Sequence, residues 1–95
     1  MSVDKEYGDE ELQAHMLYTL ARRGKWGNSH TQLLYVRSGL PPKYRNKAEK
    51  LAKDLADKGF LTWLKKTNEI HVSLNPRARD EIVKLVERYL GTVYW

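Results

Sequence analysis

The chain has 95 residues, 41% hydrophobic and 31% charged, with no cysteine and a formal net charge of +5. One domain of this size holds one compact core and no deep enclosed cleft, and the lack of cysteine excludes disulfides and thiolate metal sites. No apolar run approaches the ~18 residues that cross a bilayer, and the opening residues Met1–Glu6 carry no apolar signal-peptide core, so a cytoplasmic protein with no membrane partner is expected.

Asp9 suits the N-cap of a first helix, with Glu10 and Glu11 in the first turn, where the helix dipole favours acids. Leu12, Met16 and Leu20 then recur at i+4 beside Leu17 and Ala21, until Arg22-Arg23-Gly24 ends the stripe. Lys25-Trp26-Gly27-Asn28 reads as a turn or a very short strand. Ser29-His30-Thr31-Gln32 has the capping-box pattern, which predicts a second helix carrying Leu33, Leu34, Val36 and Arg37 and stopped by Ser38-Gly39-Leu40. Leu40 precedes proline and is expected to be extended.

Pro41 and Pro42 permit a helix to begin but not to continue backward. The third helix is predicted to run to about Lys58, burying Ala48, Leu51, Ala52 and Leu55, with Gly59 just past its end. A strand at Phe60–Leu64, a basic turn at Lys65-Lys66-Thr67-Asn68 and a strand with Ile70, Val72 and Leu74 at period two form a hairpin. Asn75-Pro76 then caps a last helix carrying Ala78, Ile82, Leu85, Val86 and Tyr89 to Gly91, with Val83 and Leu90 widening its apolar arc. The expected organisation is an extension at 1–8, a domain at 9–91 and an apolar tail at 92–95.

This order of elements resembles the winged helix-turn-helix family over about residues 9–90. Its most telling stretches are Leu55-Ala56-Asp57-Lys58-Gly59-Phe60-Leu61 and Ile70-His71-Val72-Ser73-Leu74-Asn75-Pro76. The resemblance implies an α+β, mostly helical fold: three helices, a two-stranded β-wing and a C-terminal helix. It also implies binding of double-stranded DNA, as a transcriptional regulator, with the third helix in the major groove. The interval from Leu40 to Ala48 exceeds the family's usual one by roughly one helical turn. It requires either an extended turn or a recognition helix that starts at Pro42.

The charge distribution points the same way. Twelve of the seventeen Lys and Arg residues lie between Arg22 and Lys66, among only three acids (Glu49, Asp54 and Asp57), so this segment is +9. Residues 1–21 are −4 and residues 67–95 are neutral. At 100° per residue, Lys43, Asn46, Lys47 and Lys50 fall opposite the apolar stripe of the third helix, Lys53 is at the edge and Arg45 flanks it. Asp54 and Asp57 occupy only the far half, so the DNA-binding set is placed on the near half; the competing reading is a solvated helix face. Tyr44 is in register with Ala48 and Leu51, and either packs in the core or sets its hydroxyl on a phosphate.

Lys65, Lys66 and Asn68 at the wing tip either neutralise phosphates or keep a sheet edge from pairing. Ser29 and Thr31 either meet a phosphate at the start of the second helix or simply cap it. Trp26 and Trp63 pack internally or stack on unpaired bases. Ile82, Val83, Val86, Tyr89 and Leu90, with Tyr94 and Trp95 of the tail, are the expected faces of a homodimer, unless the tail folds onto the first helix.

His15, His30 and His71 are widely spaced, without an HExxH pattern, so no metal is expected. No glycine-rich phosphate loop or nucleophile elbow is present, so neither catalysis nor a cofactor is expected. Two competing functions remain: a protein-interaction module acting through residues 76–95 in a larger complex, and structured-RNA binding, in which an A-form major groove does not admit a helix.

Overall fold

The computed structural model describes residues 6–93. They form a small α+β domain of four helices and one three-stranded antiparallel sheet: α1 (Asp9–Arg22), β1 (Thr31–Gln32), α2 (Leu33–Arg37), a 3-10 segment (Pro42–Lys47), α3 (Ala48–Asp57), β2 (Leu61–Lys66), β3 (Glu69–Leu74), a 3-10 turn (Pro76–Ala78) and α4 (Arg79–Leu90). The strand order is β1-β3-β2, so β3 is central. Its register sets Thr31 and Trp63 on either side of Val72, and Gln32 and Leu64 on either side of His71.

Helix α1 forms where the apolar stripe predicts, but Gly8 rather than Asp9 is its N-cap, and Asp9, Glu10 and Glu11 fill the first turn. It ends as α3 does. Gly24 (φ 69°) and Gly59 (φ 84°) are left-handed, and the following amides, of Lys25 and Phe60, donate back to the Leu20 and Leu55 carbonyls at 3.0 and 2.9 Å. These paired bonds satisfy carbonyls that a helix end leaves free.

The second helix starts later than the capping box predicts. Thr31 and Gln32 pair with β3 as an edge strand, and α2 keeps only five residues, from Leu33. The central strand offers backbone partners on its second edge, and a β-branched Thr suits that pairing better than a first helical turn. The hairpin is therefore part of a three-stranded sheet, where an isolated two-stranded ribbon was expected.

The long Leu40–Ala48 interval resolves as the 3-10 segment Pro42–Lys47 followed directly by α3. Leu40 itself is buried, and its amide donates to the Arg37 carbonyl at 3.0 Å. The 3-10 segment carries Tyr44 into the core, where its ring meets that of Tyr7 edge-on with centroids 5.8 Å apart, and its hydroxyl accepts from the Tyr7 amide at 3.1 Å.

The core joins Leu12, Met16, Leu17 and Leu20 of α1 to Leu51 and Leu55 of α3, Val72 and Leu74 of β3, and Ile82 and Val86 of α4. A fully buried side chain of this size contributes about 2 kcal/mol. Ile82 and Val86 are fully buried inside the single chain, which removes both from the expected dimer face. Leu90 packs on the same core, and Val83 is half-buried. Tyr89 is exposed, but its hydroxyl donates to Glu10 of α1 at 2.7 Å. Helix α4 directs its apolar arc at α1, where the homodimer reading had placed a second copy; Tyr94 and Trp95 lie outside the described residues.

Candidate nucleic-acid interface

The exposed side of the 3-10 segment and α3 carries Lys43, Asn46, Lys47, Glu49, Lys50 and Lys53 in succession. The amphipathic spacing of Ala48, Leu51, Ala52 and Leu55 turns one side of α3 into the core, which leaves these residues in water. Their electrostatic surroundings differ sharply along the row.

In the 3-10 half every cation is engaged. Lys47 Nζ is 3.1 Å from Asp9 Oδ1, and Lys43 Nζ is 4.0 Å from Glu6 Oε1. Both ammonium groups also lie over the Tyr44 ring, at 6.0 and 5.5 Å from its centroid, a cation–π arrangement. Arg45 is held within the fold. Its Nε donates to the Leu40 carbonyl at 3.0 Å and Nη2 to the Ser38 carbonyl at 3.1 Å, while its own carbonyl accepts from Arg37 Nε at 3.2 Å. The guanidinium thus ties the end of α2 to the start of the 3-10 segment.

In α3 proper, Lys50 and Lys53 have no ion-pair partner among the described residues, although Lys50 lies close enough to Asp54 to help lower its pKa. Further along, the Gln13 amide donates to Asp54 Oδ2 at 2.8 Å and to the Leu51 carbonyl at 3.2 Å. Lys58 Nζ approaches the same carboxylate at 3.0 Å. The Gln13 hydrogen bond, then that of Lys58, holds the Asp54 carboxyl below its ordinary value. The acidic end of α3 is therefore bound to α1, and the open cations lie in its first turns.

The two lysines expected at the tip of the hairpin are not in its turn. Lys65 and Lys66 are the last residues of β2, opposite Ile70 and Glu69, so they project to opposite faces of the sheet. Thr67 and Asn68 alone form the turn. Lys66 sits across from an acid, a favourable cross-strand pair, while Lys65 extends the face of Leu61 and Trp63. Ser29 is exposed in the turn before β1, with its amide bonded to the Trp26 carbonyl at 3.0 Å, and Thr31 is inside β1. Neither stands at a helix N-terminus, so the phosphate site expected there does not form. Tyr44, being buried with its hydroxyl occupied, belongs to the packing reading.

Two features escaped the sequence reading. Arg37 of α2 is exposed beside the wing: with Leu33, Leu34, Ile70, Asn68 and Glu69 it lines an open groove of about 280 Å³. The second is a contact between His30 and His71, whose Nδ1 atoms are 2.8 Å apart. No local signal marks either, because each joins segments more than thirty residues apart in the chain.

No family model, curated protein or solved structure matches this chain. Its functional reading therefore rests on topology and charge alone.

Proposed function

We propose that the chain is a winged-helix protein that binds double-stranded DNA, acting as a transcriptional regulator. Three features support the reading: the order α1-β1-α2-α3-β2-β3-α4, the sheet order β1-β3-β2, and the short link that sets α2 against the 3-10 segment and α3. The observation that carries it is the exposed cation row of α3 next to a hairpin that ends in Lys65 and Lys66. Helix α3 lies in the major groove through Lys50 and Lys53, with Asn46 of the preceding 3-10 segment beside them, and the wing lysines and Arg37 neutralise flanking phosphates.

The test is fluorescence anisotropy with labelled random duplex DNA over a salt series. With about six phosphates neutralised, log K falls against log salt with a slope near −5. No binding at low salt, or binding that ignores salt, overturns the reading. Equal competition by double-stranded RNA moves it to RNA.

A second reading is a protein-interaction module, favoured by a different observation. Leu34 and Tyr35 of α2 are 54% and 51% exposed, and Leu34 borders the groove under the wing. This replaces α4 as the surface on which that reading stands. Stoichiometric capture of a protein through Leu34 and Tyr35, without duplex affinity, decides for it.

A further inference from the structure

His30 immediately precedes β1, and His71 lies in the middle of β3. Their rings are 4.8 Å apart at the centroids, inclined at 72°, with the two Nδ1 atoms 2.8 Å from each other. On its other side, His71 Nε2 meets Glu69 Oε1 at 2.8 Å. The carboxylate accepts a hydrogen bond from Nε2–H, which leaves the lone pair of His71 on Nδ1. His30 then either donates its Nδ1 proton to that lone pair or, as the Nε2–H tautomer, presents a second lone pair to the same point.

We propose that this pair is a two-imidazole site for a divalent transition-metal ion of the Cu²⁺ or Ni²⁺ type. The donor set is the commonest one for such ions, neutral imidazole nitrogen. Two nitrogens each about 2.0 Å from one ion and at 90° to each other stand roughly 2.8 Å apart, whereas a tetrahedral ion spreads them to roughly 3.3 Å. The observed separation thus matches adjacent corners of a square-planar or octahedral site, and Zn²⁺ requires the rings to open. Glu69 occupies the position that outer-shell carboxylates take behind metal-bound histidines, fixing the tautomer and ring orientation of His71.

Among the described residues no cluster of three or more candidate ligands exists, so water completes the coordination. On the same face of β3, two residues beyond His71, the buried Ser73 hydroxyl has no hydrogen-bond partner among the described residues. Binding replaces the shared proton by the ion; a shift of the His30 proton from Nδ1 to Nε2 balances the step without net proton release. The ion then joins β1 to β3 across the weakest edge of the sheet, a two-residue strand. The inference rests on the strands alone and is independent of the DNA-binding reading.

The test uses the full chain without an affinity tag, stripped with chelator. Calorimetric titration is expected to saturate at one equivalent of Cu²⁺ or Ni²⁺, more weakly with Zn²⁺ and not at all with Mg²⁺, and to raise Tm. His30→Ala and His71→Ala each abolish saturation, Glu69→Gln weakens it about tenfold, and His15→Asn leaves it unchanged. Because a variant of β3 can misfold, substoichiometric Cu²⁺ is also added to the unsubstituted chain, where paramagnetic broadening of the His30 and His71 imidazole signals is expected first. Absent saturation, binding that survives His30→Ala, or broadening that centres on His15 overturns the site and leaves the contact a hydrogen bond only.

Discussion

The two halves of the basic row carry similar numbers of cations and hold them in opposite states. In the 3-10 segment, Lys43 and Lys47 face Glu6 and Asp9, and Arg45 is committed to the carbonyls of Ser38 and Leu40. In α3, Lys50 and Lys53 project into water without an ion-pair partner among the described residues. The difference arises because Asp9, at the start of α1, and Glu6, just before that helix, lie against the 3-10 segment. A cation count along the chain therefore overstates the charge that a polyanion meets, since some of that charge is already balanced within the fold.

The comparison is broken most severely by reversing the open half. Lys50→Glu with Lys53→Glu is expected to weaken duplex binding roughly tenfold per reversal, or about 1.4 kcal/mol each, and to lower the salt slope by about 1 per lost phosphate contact. Unchanged anisotropy titrations would remove α3 from the interface. Next comes Arg45→Ala, which loses two charge-assisted bonds to carbonyls and is expected to cost about 1–2 kcal/mol in denaturant unfolding. Its effect on DNA affinity should be smaller than its effect on stability; the reverse result would make Arg45 a contact residue instead of a tie.

Asp9→Asn sharpens the contrast from the other side. It releases Lys47 and is expected to raise DNA affinity about twofold to threefold, with stability changed by less than about 0.5 kcal/mol, since exposed ion pairs contribute little. A drop in affinity would show that Asp9 positions Lys47 for contact.

The smallest effect is on pH dependence. Hydrogen bonds from Gln13 and Lys58 lower the Asp54 pKa, and those from Tyr89 and Arg88 lower that of Glu10. A lowered carboxyl pKa stabilises the fold above the ordinary value, and this contribution is lost as pH falls from 3.8 (Asp54) or 4.5 (Glu10) through the folded value. Asp54→Asn is expected to flatten that part of the acid limb in thermal melts, and an unaltered limb would remove the Gln13–Asp54 contact as a cause.

Much of the fold was legible because its signals are local. The stripes of α1, α3 and α4, the glycine stops at Gly24 and Gly59, and the alternation of Ile70, Val72 and Leu74 each depend on neighbours within a turn or a strand. Asn75 behaves as its dipeptide with Pro76 suggests: its side chain accepts from the Arg77 amide at 3.1 Å and donates to the Gly59 carbonyl at 2.8 Å. The failures share one cause. The capping-box pattern at Ser29 spans four adjacent residues, but Thr31 and Gln32 answer to β3, some forty residues away. The apolar arc of α4 is wide enough to suggest a surface for a second chain, but α1 already covers much of it.

From the sequence by itself came most of the element types and of the buried residues, and the segregation of charge, because periodicity and composition are properties of short windows. Only the tertiary structure decided which cations stay open, that Thr31 and Gln32 join the sheet, and that His30 and His71 meet. Each of these depends on a register or a packing contact between segments far apart in the chain, and no window of neighbouring residues contains that information.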